Sequence, residues 1–85
     1  MRKDSRLSRV LHVLIHLDSY SHPITSETLA NMLMTNPVVV RRTMALLRQA
    51  GYVSAIKGHN GGWLLATPLT DITLFDIHQA LGEKN

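Results

Sequence analysis

The chain has 85 residues, 45% of them hydrophobic and 18% charged, with no cysteine and a formal net charge of +3. That length gives one small domain with a modest core, too short for a typical enzyme with its own cofactor fold, and the apolar content argues against disorder. Without cysteine, neither a disulfide frame nor a thiolate metal or iron–sulfur site can be built from this chain alone.

The charge is uneven. Residues 1–60 carry eight Lys/Arg against three acids, a net of +5, and residues 61–85 carry one against three, a net of −2. A basic front part and a mildly acidic tail suggest a polyanion partner for the first part, against the plainer reading of a solvated surface. No apolar run approaches the ~20 residues that cross a bilayer. Met1-Arg2-Lys3-Asp4-Ser5 leads into an amphipathic pattern rather than a secretory leader, so a cytoplasmic location with no membrane partner is expected.

Ser5 is placed to cap a first helix over about residues 5–19, whose apolar positions Leu7, Val10, Leu11, Leu14, Ile15 and Leu17 recur at three- and four-residue spacing, with Val13 widening the stripe. Asp18-Ser19-Tyr20-Ser21-His22-Pro23 ends it, and Ile24 is a candidate for one short strand. Thr25 then caps a second helix over about 26–33, with Leu29, Ala30, Met32 and Leu33 on its apolar side and the small Ala30 allowing close approach of the next helix. Met34-Thr35 forms a tight link. Met32, Met34 and Met44 read as core filler.

The third helix opens on Asn36-Pro37-Val38-Val39-Val40-Arg41-Arg42. Asn36 is a good N-cap and Pro37 fits the first helical position, where a missing N–H costs nothing. Three valines, mediocre helix formers, follow at once, so something other than propensity placed them. The helix runs to about Ala50, before Gly51. At 100° per residue, Val40, Met44 and Leu47 form a core stripe flanked by Val39, Thr43 and Leu46, while Val38, Arg41, Arg42, Ala45 and Gln49 face outward. Val38 beside two arginines is therefore expected on a contact surface.

Residues 52–57 and 63–66 are strand candidates separated by Gly58-His59-Asn60-Gly61-Gly62, a hairpin with a flexible tip. Trp63 is expected to pack under it rather than stack on a base. Thr67-Pro68 stops the second strand, and Thr73 caps a last helix carrying Leu74, Phe75, Ile77, His78 and Leu81, ended by Gly82.

Three helices, the second and third joined by a very short turn, then a hairpin: the fold class is mainly α with a small β-hairpin, a winged helix-turn-helix over residues 1–82. Double-stranded DNA is the partner that physical logic favours, because the third helix of such a unit fits the major groove with its positive dipole end toward phosphate. Arg41 and Arg42 can offer a bidentate fork to guanine or grip a phosphate, and Val38 can pack on a thymine methyl. Thr35 or Asn36 would contact the backbone. At the hairpin tip Lys57, Gly58, His59 and Asn60 can lie against the neighbouring strand or minor groove, and Arg2, Lys3, Arg6 and Arg9 would add phosphate contacts.

These residues resemble the Rrf2 family of bacterial transcription regulators. The resemblance runs through the 35–42 turn and helix, Leu47-Arg48-Gln49-Ala50-Gly51-Tyr52-Val53, the wing Gly58-His59-Asn60-Gly61-Gly62-Trp63-Leu64-Leu65-Ala66, and Asp71-Ile72-Thr73-Leu74. It implies a homodimer, most often a repressor, on a palindromic operator, dimerised by a long C-terminal helix. The sequence reaches only Glu83-Lys84-Asn85, where that segment is expected to begin. Arg41 stands where several members have an acid that discriminates between sites, implying a different operator. Lys57 stands where the wing often has Arg, keeping the charge without the guanidinium fork.

Other constellations are weaker. His12 and His16, four apart, could share a metal, but no third ligand is evident, so neither metal nor cofactor is expected. No G-x-S-x-G elbow or paired carboxylates support an enzyme. The alternative function is a winged-helix module that docks a protein without binding DNA. An exposed apolar groove with the arginines turned away would favour it, and a continuous basic strip across the first helix, third helix and wing would favour DNA.

Overall fold

A computed structural model describes residues 5–82. The expectations for Arg2, Lys3, the Ser5 side chain and Glu83-Lys84-Asn85 fall outside it. The described residues form helices α1 (Ser5–Ser19), α2 (Ser26–Leu33) and α3 (Pro37–Gln49), strands β1 (Val53–Ile56) and β2 (Gly62–Leu65), a 3₁₀ turn (Leu69–Asp71) and helix α4 (Leu74–Ala80). The order is that of a winged helix-turn-helix, with the hairpin as the wing. Among the described residues no helix is long and apolar enough to cross a membrane.

The helix starts are set by local hydrogen bonds. Thr25 Oγ1 accepts from Thr28 N at 3.1 Å to open α2, and Asn36 Oδ1 accepts from Val39 N at 3.0 Å to open α3 behind Pro37. Thr73 opens α4 with a reciprocal pair: its Oγ1 accepts from Asp76 N, and Asp76 Oδ2 accepts from Thr73 N, both at 3.0 Å. Each such cap contributes about 1 kcal/mol, which matters most for the seven-residue α4.

One apolar core joins the elements. Val10, Val13, Leu14 and Leu17 from α1 meet Leu29 and Ala30 from α2, Val40, Met44 and Leu47 from α3, Val53 from β1, and Ile77 and Leu81 at the C-terminal end. The expected core stripe of α3 is thus fully buried, and buried Ala30 lies on the helix that packs against it.

Two sequence expectations, for Ile15 and Met34, are corrected. Ile15 is 51% exposed, because α1 buries the stripe Val10–Val13–Leu14–Leu17 and, at 100° per residue, Ile15 lies about 140° round from Val10. On α4 only Ile77 is buried within the helix, and Leu74 and Phe75 face solvent. Met34 is not core filler. It ends α2 in the left-handed conformation (φ 57°, ψ 46°) and is 93% exposed, since the chain must reverse there for Thr35 N to donate to Ala30 O at 2.9 Å.

The strands pair antiparallel with Val53 opposite Leu65 and Ile56 opposite Gly62. The short strand expected at Ile24 is a single bridge to Trp63: Ile24 N donates to Trp63 O at 3.1 Å, and Trp63 N donates to Ile24 O at 2.8 Å. This close approach requires Gly62, whose φ is +147° and where a Cβ would lie 2.6 Å from the carbonyl carbon and oxygen of Ile24.

Two substitutions should therefore move stability in opposite directions in denaturant titrations. Gly62→Ala is expected to cost roughly 1–3 kcal/mol through backbone strain and the displaced bridge. Met34→Gly is expected to add roughly 0.5–1 kcal/mol, relief of left-handed strain outweighing the looser unfolded chain.

Candidate nucleic-acid interface

Burial of one side of α3 fixes what the other side shows. Val38 is 55% exposed, Arg41, Arg42, Ala45 and Gln49 are exposed, and Val39 is half-buried between the two faces. The first turn of α3 holds no acid, so the positive end of its dipole is not neutralised from within the helix. Asn36 spends its carbonyl oxygen on the cap, and the part of its amide that remains is a donor, suited to phosphate oxygen. Thr35 is half-buried in the turn.

Arg42 reaches across to α1. Together with Arg6, Arg9, Val39 and Thr43 it lines a cleft of about 340 Å³ between the two helices. Three arginines line this one concavity, and their side chains carry N–H donors and no acceptor, a chemistry matched to an oxyanion such as a phosphodiester. Arg6, expected from the sequence to add a phosphate contact, lines the same cleft as Arg42, while Arg41 is not part of it.

Arg41 instead faces α2. Its Nη1 lies 3.6 Å from Glu27 Oε2, with the two side chains 53% and 69% exposed. The distance is longer than a hydrogen bond and the pair is bathed in solvent, so it adds little to stability, about 0–1 kcal/mol. Glu27 was not singled out by the sequence; the two residues sit on different helices, and no spacing rule within one helix could link them.

The wing residues Lys57, Gly58, His59 and Asn60 are all exposed, on the loop between β1 and β2 and outside the arginine cleft. Asn60 is left-handed (φ 67°) and Gly61 N donates to Gly58 O at 3.0 Å, giving the tip a defined turn. Asn60 and Gly61 share a second concavity with His22, Pro23 and Thr25. Trp63 is half-buried, and its Nε1 donates to Ser26 Oγ at 3.0 Å, tying strand β2 to the first turn of α2.

The model of the Rrf2 family, described as an iron-dependent transcriptional regulator, matches residues 4–85. The chain belongs to the Rrf2 family. Two Bacillus subtilis (strain 168) relatives of this Rrf2 chain, YwgB and YwnA, are provisionally named HTH-type transcriptional regulators. They are 34% identical over 83 residues and 37% identical over 81. Each alignment covers 95% of this chain but only 53% of YwgB and 59% of YwnA, so the chain spans a little over half the length of these relatives. The crystal structure of a provisionally named transcriptional regulator from Lactobacillus plantarum superposes with a TM-score of 0.84 at 30% identity, over 93% of this chain and 53% of that one. These relatives are named as regulators, not enzymes.

The family description mentions iron, but the donors among the described residues of this Rrf2 chain do not fit an iron site. The chain has no cysteine, and among the described residues no group of three or more His, Asp or Glu side chains could hold a metal ion. His12 and His16 accordingly have no third ligand within the described residues.

The Asn36 cap gives a direct check on how the interface is held. Asn36→Ala is expected to lower stability by about 1 kcal/mol in thermal or denaturant unfolding, and Asn36→Ser to retain most of it.

Proposed function

We propose that residues 1–82 are the DNA-binding domain of a homodimeric transcriptional repressor that reads a palindromic operator in the cytoplasm, residues 83–85 leading into a dimerisation segment. The observation that carries the DNA reading is the convergence of Arg6, Arg9 and Arg42 in one cleft beside the exposed Val38 and Arg41. Of the continuous basic strip across α1, α3 and the wing that would favour DNA over protein docking, the cleft supplies the α1 and α3 parts, while Lys57 on the wing lies outside it.

The geometry suggests a division of roles. Arg42, Arg6 and Arg9 would hold phosphate, supplying affinity and register without sequence information. Arg41 and Val38 would meet base edges in the major groove, Arg41 as a fork on guanine and Val38 against a thymine methyl. Thr35 and Asn36 would contact backbone beside the helix start. Lys57, Gly58, His59 and Asn60 would lie along the neighbouring strand or minor groove. Two copies related by a twofold axis would place two such helices about one DNA turn apart, roughly 34–36 Å, hence the palindrome.

The observation on the side of a protein-docking module is the exposure of Leu74 and Phe75 on α4. A subunit contact uses such a surface equally well, so binding to DNA is what separates the two readings.

Fluorescence anisotropy on a selected duplex pool at several salt concentrations, with the chain and with a tethered tandem of two copies, tests this directly. Selective binding with a steep negative salt slope is expected, tighter for the tandem. Arg41→Ala should cost about 1–3 kcal/mol on the selected site and relax one base position. Arg42→Ala should weaken all duplexes alike and make the salt slope shallower by about one. Absence of selective binding in both formats would overturn the reading in favour of the docking module.

A further inference from the structure

We propose that Glu27 is a positioning residue for Arg41 that sharpens base discrimination at the cost of general affinity for DNA; this rests on the DNA-binding reading above. Glu27 lies in the first turn of α2, where the positive end of the helix dipole favours a carboxylate. From there its Oε2 approaches Nη1 of Arg41 on α3 at 3.6 Å. An acid beside an arginine on a surface meant for phosphate is unfavourable for binding as such: it cancels one positive charge and repels the polyanion. It also stabilises the fold little, because both groups are largely in solvent.

What the pair can do is limit where the Arg41 guanidinium goes. An unrestrained arginine carries a large rotamer entropy and can trade a base edge for the nearest phosphate, a contact blind to sequence. A carboxylate approaching one Nη penalises excursions toward the phosphates and leaves further N–H donors for the O6 and N7 acceptors of guanine. The contrast with Arg42 supports the assignment. Arg42 lines a cleft with two other arginines and a phosphate suits it, whereas Arg41, one residue away on the helix, faces a carboxylate, which suits a neutral base edge better than an anion. The two consecutive arginines are thus sorted between phosphate and base by their neighbours on α1 and α2.

The test measures binding of the parent chain, Glu27→Gln, Arg41→Ala and the double variant to the selected duplex and to duplexes changed at one base pair at a time. Glu27→Gln keeps size and polarity and removes the charge. Its unfolding midpoint should fall by no more than a few degrees, the small loss of the helix-dipole interaction, and binding compared well below that midpoint separates positioning from folding. The expected result is tighter binding of Glu27→Gln to unrelated DNA together with a roughly three- to tenfold loss of preference at the base pair that Arg41→Ala relaxes. In the Arg41→Ala background the same change should have no further effect at that pair. A uniform gain on every duplex with the preference intact, or an effect on preference that persists without Arg41, would overturn the role of Glu27 while leaving DNA reading by Arg41 standing. If Arg41→Ala relaxes no position, base reading by Arg41 itself fails, and the role of Glu27 fails with it.

Discussion

The orientation of α3 is the constraint on which the rest of the structure depends. Val40, Met44 and Leu47 recur at four and three residues and are all but fully buried, against a core to which each of the other elements contributes. Burying three such side chains stabilises by several kcal/mol, on the order of 2 kcal/mol each, so rotating the helix to present another face would cost most of the stability of a domain this small. With that side pinned, Val38, Arg41 and Arg42 have no choice but to face outward. The three valines at the helix start then make sense one at a time: Val40 belongs to the core, Val39 to its border and Val38 to the contact surface. Asn36 supplies the hydrogen bond that lets a helix begin on residues of such modest propensity.

The wing is held by a second, independent device. A two-stranded hairpin is marginal by itself in water. Here β2 gains the bridge to Ile24 on its other edge and the hydrogen bond from Trp63 to Ser26, and the link from α3 into β1 is closed by Tyr52 N donating to Leu47 O at 3.0 Å. Thr67 Oγ1 adds a bond to Gly51 O at 2.9 Å, at the other end of the hairpin. The hairpin is therefore tied near its tip to the start of α2 and at its base to the end of α3, the two helices that frame the turn, while the tip residues 57–60 stay exposed. That arrangement keeps the position of the tip coupled to α2 and α3 while leaving its residues exposed.

Much of this was legible in the sequence because it is local. Thr25, Asn36 and Thr73 announce helix starts through bonds to residues three further on, and the core stripe of α3 follows from periodicity. The misjudged residues are those whose place depends on where an element ends or on what faces it. Met34 looked like core because it is apolar, but the turn between α2 and α3 demands a left-handed residue there and leaves its side chain outside. Ile15 fitted a helical spacing and fell on the wrong side of a stripe whose centre only the packing of α1 defines. Leu74 and Phe75 were rightly placed on α4, and their exposure follows from a helix of seven residues burying only a narrow face. For the candidate site the residue types and the exposed face were readable, whereas the convergence of Arg6 with Arg42 and the approach of Glu27 to Arg41 were not, since both are contacts between helices.

Those two unreadable contacts give the surface its chemical differentiation. In sequence, Arg41-Arg42 is a pair of equal charges; in the fold, neighbouring positions on a helix point about 100° apart and so meet different elements. Arg42 shares its cleft with Arg6 and Arg9 near the start of α1, where like charges lie close together and an anion would be favoured. Arg41 turns toward an acid and is partly neutralised before any ligand arrives. On the proposed DNA-binding reading, a surface built this way would not treat DNA as a uniform rod of charge: the arginine cluster would grip the backbone, and the neighbouring arginine would be biased toward neutral hydrogen-bond acceptors, the property that separates reading a sequence from adhering to it.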